Sequence, residues 1–206
     1  MIIDAREDVL ETLSKYNKII ITGCQRSGTT ICSQMLAKDL GVTWVDETDV
    51  KNHWLEVLRL VEGQYRFVMQ LPANSWRVDL LPEEHDCAVV WIHRPKEQVE
   101  ASMDRIHWWG HEASERKGYV KRWGYEEKER NIYDVKHGAW EAHQKPNMPV
   151  DFYEMQYHSD YISKHPMFTL KQNRGKKWKN PKYTGHSELL KNTDPRTVNL
   201  SRHRGR

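Results

Sequence analysis

Residues 18–41 read KIIITGCQRSGTTICSQMLAKDLG, and this stretch limits the possible folds more sharply than any other. A β-branched apolar run over 18–22 ends on Gly23. Thr29 to Leu40 then carries apolar side chains at Ile31, Met35 and Leu36 and stops at Gly41. These patterns predict a strand, a tight loop and a helix. Gly23 and Gly28 have the spacing of a phosphate-binding loop, G-x-x-x-x-G-K-[ST], in which backbone amides cradle phosphate, the lysine reaches outer phosphates and the hydroxyl holds magnesium. Here Thr30 takes the hydroxyl position and Thr29 the lysine position, while Arg26 supplies a cation three residues earlier.

The rest of the chain fits a single α/β pattern. Further apolar runs fall at 42–45, 66–71 and 87–92, with a weaker one at 149–153, and helical patterns lie near 50–62, 95–107 and broadly 112–144. Continuous apolar strands alternating with helices imply a three-layer α/β/α domain around a central parallel sheet, with ligands at the carboxyl ends of the strands. The 23–30 loop lies at such an end.

At 206 residues the chain is expected to form one domain over 1–206. Cys24, Cys32 and Cys87 are odd in number and lack C-x-x-C spacing, which suggests neither a disulfide framework nor a zinc site. No apolar run approaches the ~18 residues of a membrane span, so a cytoplasmic protein is expected. The net charge of +3 is unevenly spread: residues 171–206 hold 11 Lys and Arg against 2 Asp and Glu, and the first 170 hold 21 against 27. Such a basic C-terminal segment can attract nucleic acid or an anionic membrane, or close over an anion bound in its own domain. Nucleic acid is the less favoured of these partners.

A loop leading into a helix offers free amides at 26–30 and a positive helix terminus, both of which favour an anion. Arg26, Thr29 and Thr30 add donors. The lost lysine, and the lack of a strand ending in a clear magnesium-binding aspartate, argue against ATP or GTP chemistry. A sulfuryl group carries fewer negative oxygens than a terminal phosphoryl group and fits better. In a second region, Arg94 follows the apolar strand and precedes Pro95, favoured at the first helical position, while Ser102 falls two helical turns on, in a stripe with Val99 and Ile106.

GCQRSGTT resembles the 5′-phosphosulfate loop of the sulfotransferases, which use 3′-phosphoadenosine 5′-phosphosulfate (PAPS) as donor and release the bisphosphate PAP. VVWIHRPKEQVEAS is similar to that family's 3′-phosphate motif, an arginine at a strand end with a serine eight residues later. The likeness is firm over about 18–104. It implies a P-loop NTPase-like sulfotransferase fold in which Gly23, Arg26, Ser27, Gly28, Thr29 and Thr30 hold the 5′-phosphosulfate and Arg94 with Ser102 forms a separate pocket for the 3′-phosphate. VDETDV resembles the acidic stretch of protein-tyrosine sulfotransferases and implies Glu47 as general base, with His53 as the alternative. RGKKWKN loosely resembles the family's basic loop over the 3′-phosphate, which implies Arg174, Lys176 and Lys177 near the donor. Two departures stand out. Gln70 occupies the place of a basic residue after the third strand and cannot act as acid or base. Ile31 replaces an aromatic that stacks on adenine, leaving that partner unidentified.

Trp108, Trp109, Tyr119, Trp123, Tyr125, Tyr133 and Trp140 are expected mainly in the core, with some free to meet an acceptor. The expected function is metal-independent sulfuryl transfer from PAPS to a hydroxyl, or an amine, of an unidentified acceptor, with Arg26 and Glu47 catalytic. The alternatives are a non-catalytic PAP, PAPS or phosphonucleotide binder and, third, a nucleotide kinase.

Overall fold

The computed structural model describes residues 6–50, 53–81, 86–106, 113–124, 132–143 and 154–156. The elements run α1 (Arg6–Ser14), β1 (Lys18–Gly23), α2 (Thr29–Leu40), β2 (Thr43–Val45), α3 (Trp54–Glu62), β3 (Phe67–Gln70), a 3-10 helix (Ser75–Leu80), β4 (Cys87–His93), α4 (Lys96–Arg105), α5 (Ala113–Trp123), α6 (Ile132–His143) and β5 (Glu154–Gln156). The strands form one parallel sheet in the order β2-β3-β1-β4-β5.

Every residue of β1 and β3 is buried, as expected for parallel strands covered on both faces. Alternation along the strands sends side chains into two layers. Ile20, Phe67, Met69 and Val89 pack with Val57, Leu60 and Val61 of α3 and with Val78 of the 3-10 helix. Ile19, Ile21, Val68, Ala88 and Val90 pack on the other face with Cys32, Leu36 and Ala37 of α2 and with Leu13 of α1. A third cluster, around Trp91, gathers Val99 and Met103 of α4, Tyr119 of α5, and Ile132, Tyr133 and Val135 of α6. Among the described residues no helix is long and apolar enough to cross a membrane.

The strand order decides where a site can form. β1 lies between β3 and β4, so the chain leaves it toward one edge of the sheet and later crosses to the other, opening a crevice above the carboxyl ends of β1 and β4. Gly23 is paired with Ile92, and a Cβ on Gly23 would stand 2.8 Å from the Ile92 carbonyl oxygen. With φ at +141°, the position requires glycine twice over.

Several elements differ from the expectation. The broad helical region at 112–144 is two helices, and Gly124, at φ +70°, follows the first. The helix expected from residue 50 begins at Trp54, because 46–50 forms a turn in which Asp46 O accepts from Asp49 N–H. Pro95 is the N-cap of α4 rather than its first residue, and its carbonyl accepts from Gln98 and Val99. Met103, not Ile106, completes the buried stripe with Val99 and Ser102; Ile106 ends the helix and is exposed. Residues 149–153 lie outside the described residues; β5 begins at Glu154.

Gly23→Ala is expected to destabilise the domain by about 1–3 kcal/mol, from the strained φ and the Ile92 contact together. A lower urea midpoint at unchanged denaturant slope would show it; an unchanged midpoint would mean that β1 and β4 separate easily at this point.

Candidate functional site

The loop after β1 is built by backbone geometry. Gly28 takes the left-handed conformation, φ +95° and ψ 17°, as the N-cap of α2, and contributes no side-chain cap to the helix. Ser27 N–H donates to Cys24 O at 3.1 Å, and Cys32 N–H donates to Gly28 O at 3.0 Å as the helix begins. The first amides of α2 thus face the crevice end of the sheet, where the helix dipole favours negative charge. Ser27 is fully buried and its Oγ has no hydrogen-bond partner. A buried hydroxyl without a partner is costly, so this atom fits a site that takes an anion.

Arg26 is the non-glycine residue at positive φ, +68°, among the described residues. That conformation costs of order 1–3 kcal/mol and persists only where surrounding bonds hold it. Arg94 does so: its Nη1 donates to the Arg26 carbonyl at 2.7 Å and its Nε to Gln98 Oε1 at 3.3 Å. The Arg26 side chain turns toward α4, where its Nε donates to Ser102 Oγ at 3.2 Å; Arg105 Nη2 reaches the same oxygen at 3.4 Å. Two guanidinium groups therefore converge on one buried serine, and a third, Arg94, holds the Arg26 backbone. Burial first, and then the neighbouring Arg105 and Arg94 charges, push the Arg26 guanidinium below its usual value. The two pockets expected to be separate are thus joined. The left-handed backbone at Arg26 aims its side chain out of the loop, and Ser102 receives it.

Thr30 also departs from its expected part. Its Oγ donates to Gln70 Oε1 at 2.5 Å, and Gln70 Nε2 donates to Asp46 Oδ2 at 2.7 Å. Asp46 Oδ1 in turn accepts from the backbone and hydroxyl of Thr48. A hydroxyl has one proton, so in this arrangement Thr30 presents lone pairs rather than a donor to an anion. The cause is Gln70, whose amide is held in one orientation by Asp46. Thr29 is buried beside it.

Glu47 and a residue that the sequence reading passed over flank one peptide group. Glu47 Oε2 accepts Ala73 N–H at 2.8 Å, and Lys136 Nζ donates to Pro72 O at 3.1 Å. That carbonyl and amide belong to the same peptide, so carboxylate and ammonium are no more than about 8.5 Å apart. Lys136, on α6, is fully buried and also donates to Gln25 Oε1 in the loop. His53 is exposed at the N-cap of α3.

Beside this lies an aromatic group. Tyr133 donates its hydroxyl proton to Arg94 O at 2.7 Å, and His137 packs against Tyr133, Trp91 and His93. Burial, followed by the nearby His93, pushes the His137 pKa down to about 4, against a smaller upward pull from Asp134. Trp140 stacks on Trp91 at 4.7 Å, and Tyr119 bonds Ser75 Oγ at 2.7 Å, so Tyr119, Tyr133 and Trp140 belong to the core. Trp108, Trp109, Tyr125, the Trp123 side chain, and Arg174, Lys176 and Lys177 in the basic segment lie outside the described residues. Among the described residues, no group of three or more His, Cys, Asp or Glu is placed to hold a metal ion.

Comparison of the chain with protein-family models, curated proteins and solved structures gave no match.

Arg105 was discoverable from its place one turn after Ser102. Lys136 was too, since it interrupts an apolar stripe of Ile132, Val135 and Ala139. Asp46 carried no signal that set it apart from Glu47.

His137 should make stability depend on pH. Its folded pKa lies below the usual 6.5, so the unfolded chain binds the extra proton first, and stability falls as pH drops from about 6.5 to about 4. His137→Phe is expected to flatten that part of the urea midpoint against pH profile by up to about 1.4 kcal/mol per pH unit. An identical profile in the variant would assign the titration to other groups.

Proposed function

We propose that the protein is a sulfotransferase that moves a sulfuryl group from PAPS to a hydroxyl, or an amine, of an acceptor, on a P-loop sulfotransferase fold. The observation that carries this is the junction of the loop after β1 with Arg94 and Ser102 after β4, which joins both halves of the motif pair at the crevice of a parallel α/β sheet. The 2-3-1-4-5 strand order supports the same fold. The donor set suits a bisphosphate with a sulfuryl group: amides at the start of α2, the buried Ser27 hydroxyl, Arg26 and Arg105 on Ser102, and Arg94 on the Arg26 carbonyl.

PAPS supplies the sulfuryl group: the acceptor oxygen bonds to sulfur as the bond to the 5′-phosphate oxygen breaks, the electron pair leaves on PAP, and the acceptor proton passes to Glu47. The α2 amides and Ser27 bind the 5′ end and stabilise charge on the leaving phosphate. Arg94, Ser102 and Arg105 bind the 3′-phosphate, and Arg26 stands between the two groups. Glu47 Oε2 accepts from Ala73 N–H, which fixes the carboxylate beside that peptide.

A second reading, a non-catalytic binder of PAP or a related nucleotide, is favoured by one observation: the Thr30–Gln70–Asp46 chain puts a group without acid or base capacity at the end of β3. A nucleotide kinase stands third, since Thr29 occupies the lysine position.

At a hundredfold excess over Kd, 3′,5′-ADP is expected to raise the melting temperature by about 5–10 °C, with 5′-AMP and Mg-ATP well behind. Arg94→Ala should weaken 3′,5′-ADP by about 10- to 100-fold and bring it level with 5′-AMP. Equal shifts for the two nucleotides in the native protein would remove the 3′-phosphate pocket. In transfer of radiolabelled sulfate from PAPS to a panel of sugars, phenols and peptides, Glu47→Gln keeps an acceptor for Ala73 N–H and should slow turnover about 100- to 10,000-fold. An unchanged rate would move the base elsewhere, and no transfer to any acceptor alongside tight 3′,5′-ADP binding would favour the binder.

A further inference from the structure

We propose that Lys136 is the loop's missing cation, supplied from α6 rather than from the loop itself, and that its ammonium binds the anionic group held by the amides at the start of α2. The inference rests on the proposed function only in taking the loop to hold an anion.

Two positions where a basic residue would serve that anion are neutral here. Thr29 stands at the lysine position of the loop, and Gln70 ends β3. Lys136 Nζ lies between the segments that follow β1 and β3. It donates to Gln25 Oε1, two residues into the loop, and at 3.1 Å to Pro72 O, two residues beyond Gln70. The strands behind these segments are neighbours: β1 pairs with β3, and Leu71 N–H donates to Ile21 O at 2.8 Å. The ammonium is thus wedged between the loops that follow β1 and β3, and the Ser27 hydroxyl, buried without a partner, belongs to the first of them.

The chemistry of the pair of acceptors points the same way. Gln25 Oε1 and Pro72 O, two of the groups that Lys136 meets, are neutral oxygens, and a buried ammonium gains more from an anionic oxygen than from a neutral one. Gln25 sits on the loop side, so its amide is the acceptor that an incoming anion would replace. Burial also keeps the charge from being screened by salt. A lysine placed here only for packing would be a poor choice, because its neighbours Ile132, Val135 and Ala139 show what that stripe of α6 otherwise holds.

Inorganic pyrophosphate is the test ligand, since it probes the loop without a 3′-phosphate. Lys136→Met keeps the stem and is expected to fold with a melting temperature near or above the native one, because an apolar replacement removes a buried charge. Calorimetric titration should show pyrophosphate bound at least about tenfold more weakly by Lys136→Met than by the native protein. Equal affinity, or no binding of pyrophosphate by the native protein, overturns the proposal. Should the variant fail to fold, the native protein decides: its Lys136 ammonium resonance, assigned with Lys136→Arg, is expected to shift in ¹H–¹⁵N spectra as pyrophosphate saturates. A resonance that does not move overturns the proposal. Loss of any preference for 3′,5′-ADP over 5′-AMP, with the Lys136 effect on pyrophosphate intact, would remove the sulfotransferase reading and leave this one standing.

Discussion

One hydrogen bond ties the site to the fold: the Arg94 guanidinium donates to the Arg26 carbonyl at 2.7 Å. Arg26 is held in a left-handed conformation that an arginine avoids when unconstrained. Without a donor at its carbonyl, that peptide would relax and the guanidinium would lose its direction toward Ser102. The bond is available because β1 and β4 are adjacent and paired as far as the last residue of β1, Gly23 opposite Ile92. The chain crosses from one edge of the sheet to the other around β1, so the loops following β1 and β4 come side by side although 68 residues separate Arg26 from Arg94.

The electrostatic consequence is local and opposes the chain's average. The first 170 residues carry more acids than bases, yet Arg26, Arg94, Arg105 and Lys136 gather at one end of the sheet. Burial, and after it the neighbouring Arg105 and Arg94 charges, disfavours the charged form of Arg26. Proteins keep such arrangements where a ligand of opposite sign offsets the cost, and a crevice with apolar walls strengthens the attraction. The acids near the site are tied up differently. Asp46 takes the Gln70 amide and Thr48, and Glu47 takes a backbone amide.

Much of the fold was legible because its signals are local. A β-branched run ending in glycine, a tight loop leading into a helix at Thr29 and a stop at Gly41 are each written in a few consecutive residues, and the structure follows them to within a residue or two. The apolar runs at 42–45, 66–71 and 87–92 became β2, β3 and β4 for the same reason. The site was legible in its members and illegible in its contacts. Spacing marked Arg26, Arg94 and Ser102, but that Arg26 would bond Ser102 depends on a backbone angle, and no pattern of residue types encodes it. Thr30 reads as a donor until Gln70, at the end of β3 and held by Asp46 just after β2, accepts its hydroxyl proton in a chain of bonds that only sheet order creates. Among the described residues, the 3-10 helix at Ser75–Leu80 follows a Pro-Ala-Asn turn whose sequence favours no single conformation.

Where the cation comes from changes what the site depends on. A lysine within the loop would move with the α2 terminus, whereas Lys136 is fixed by α6. That helix is fastened to β4 by the Trp91–Trp140 stack at 4.7 Å and by the Tyr133 hydroxyl on Arg94 O at 2.7 Å, each worth about 1 kcal/mol. Tyr133 and Lys136 are one helical turn apart, so the residue that holds the Arg94 backbone and the residue that reaches the loop share a face of α6. Arg94 and Lys136 are therefore positioned by the same helix, one through its carbonyl and one directly. Damage to the Trp91 cluster would displace both cations together, and the core around β4 thereby becomes part of the site's geometry rather than a separate source of stability.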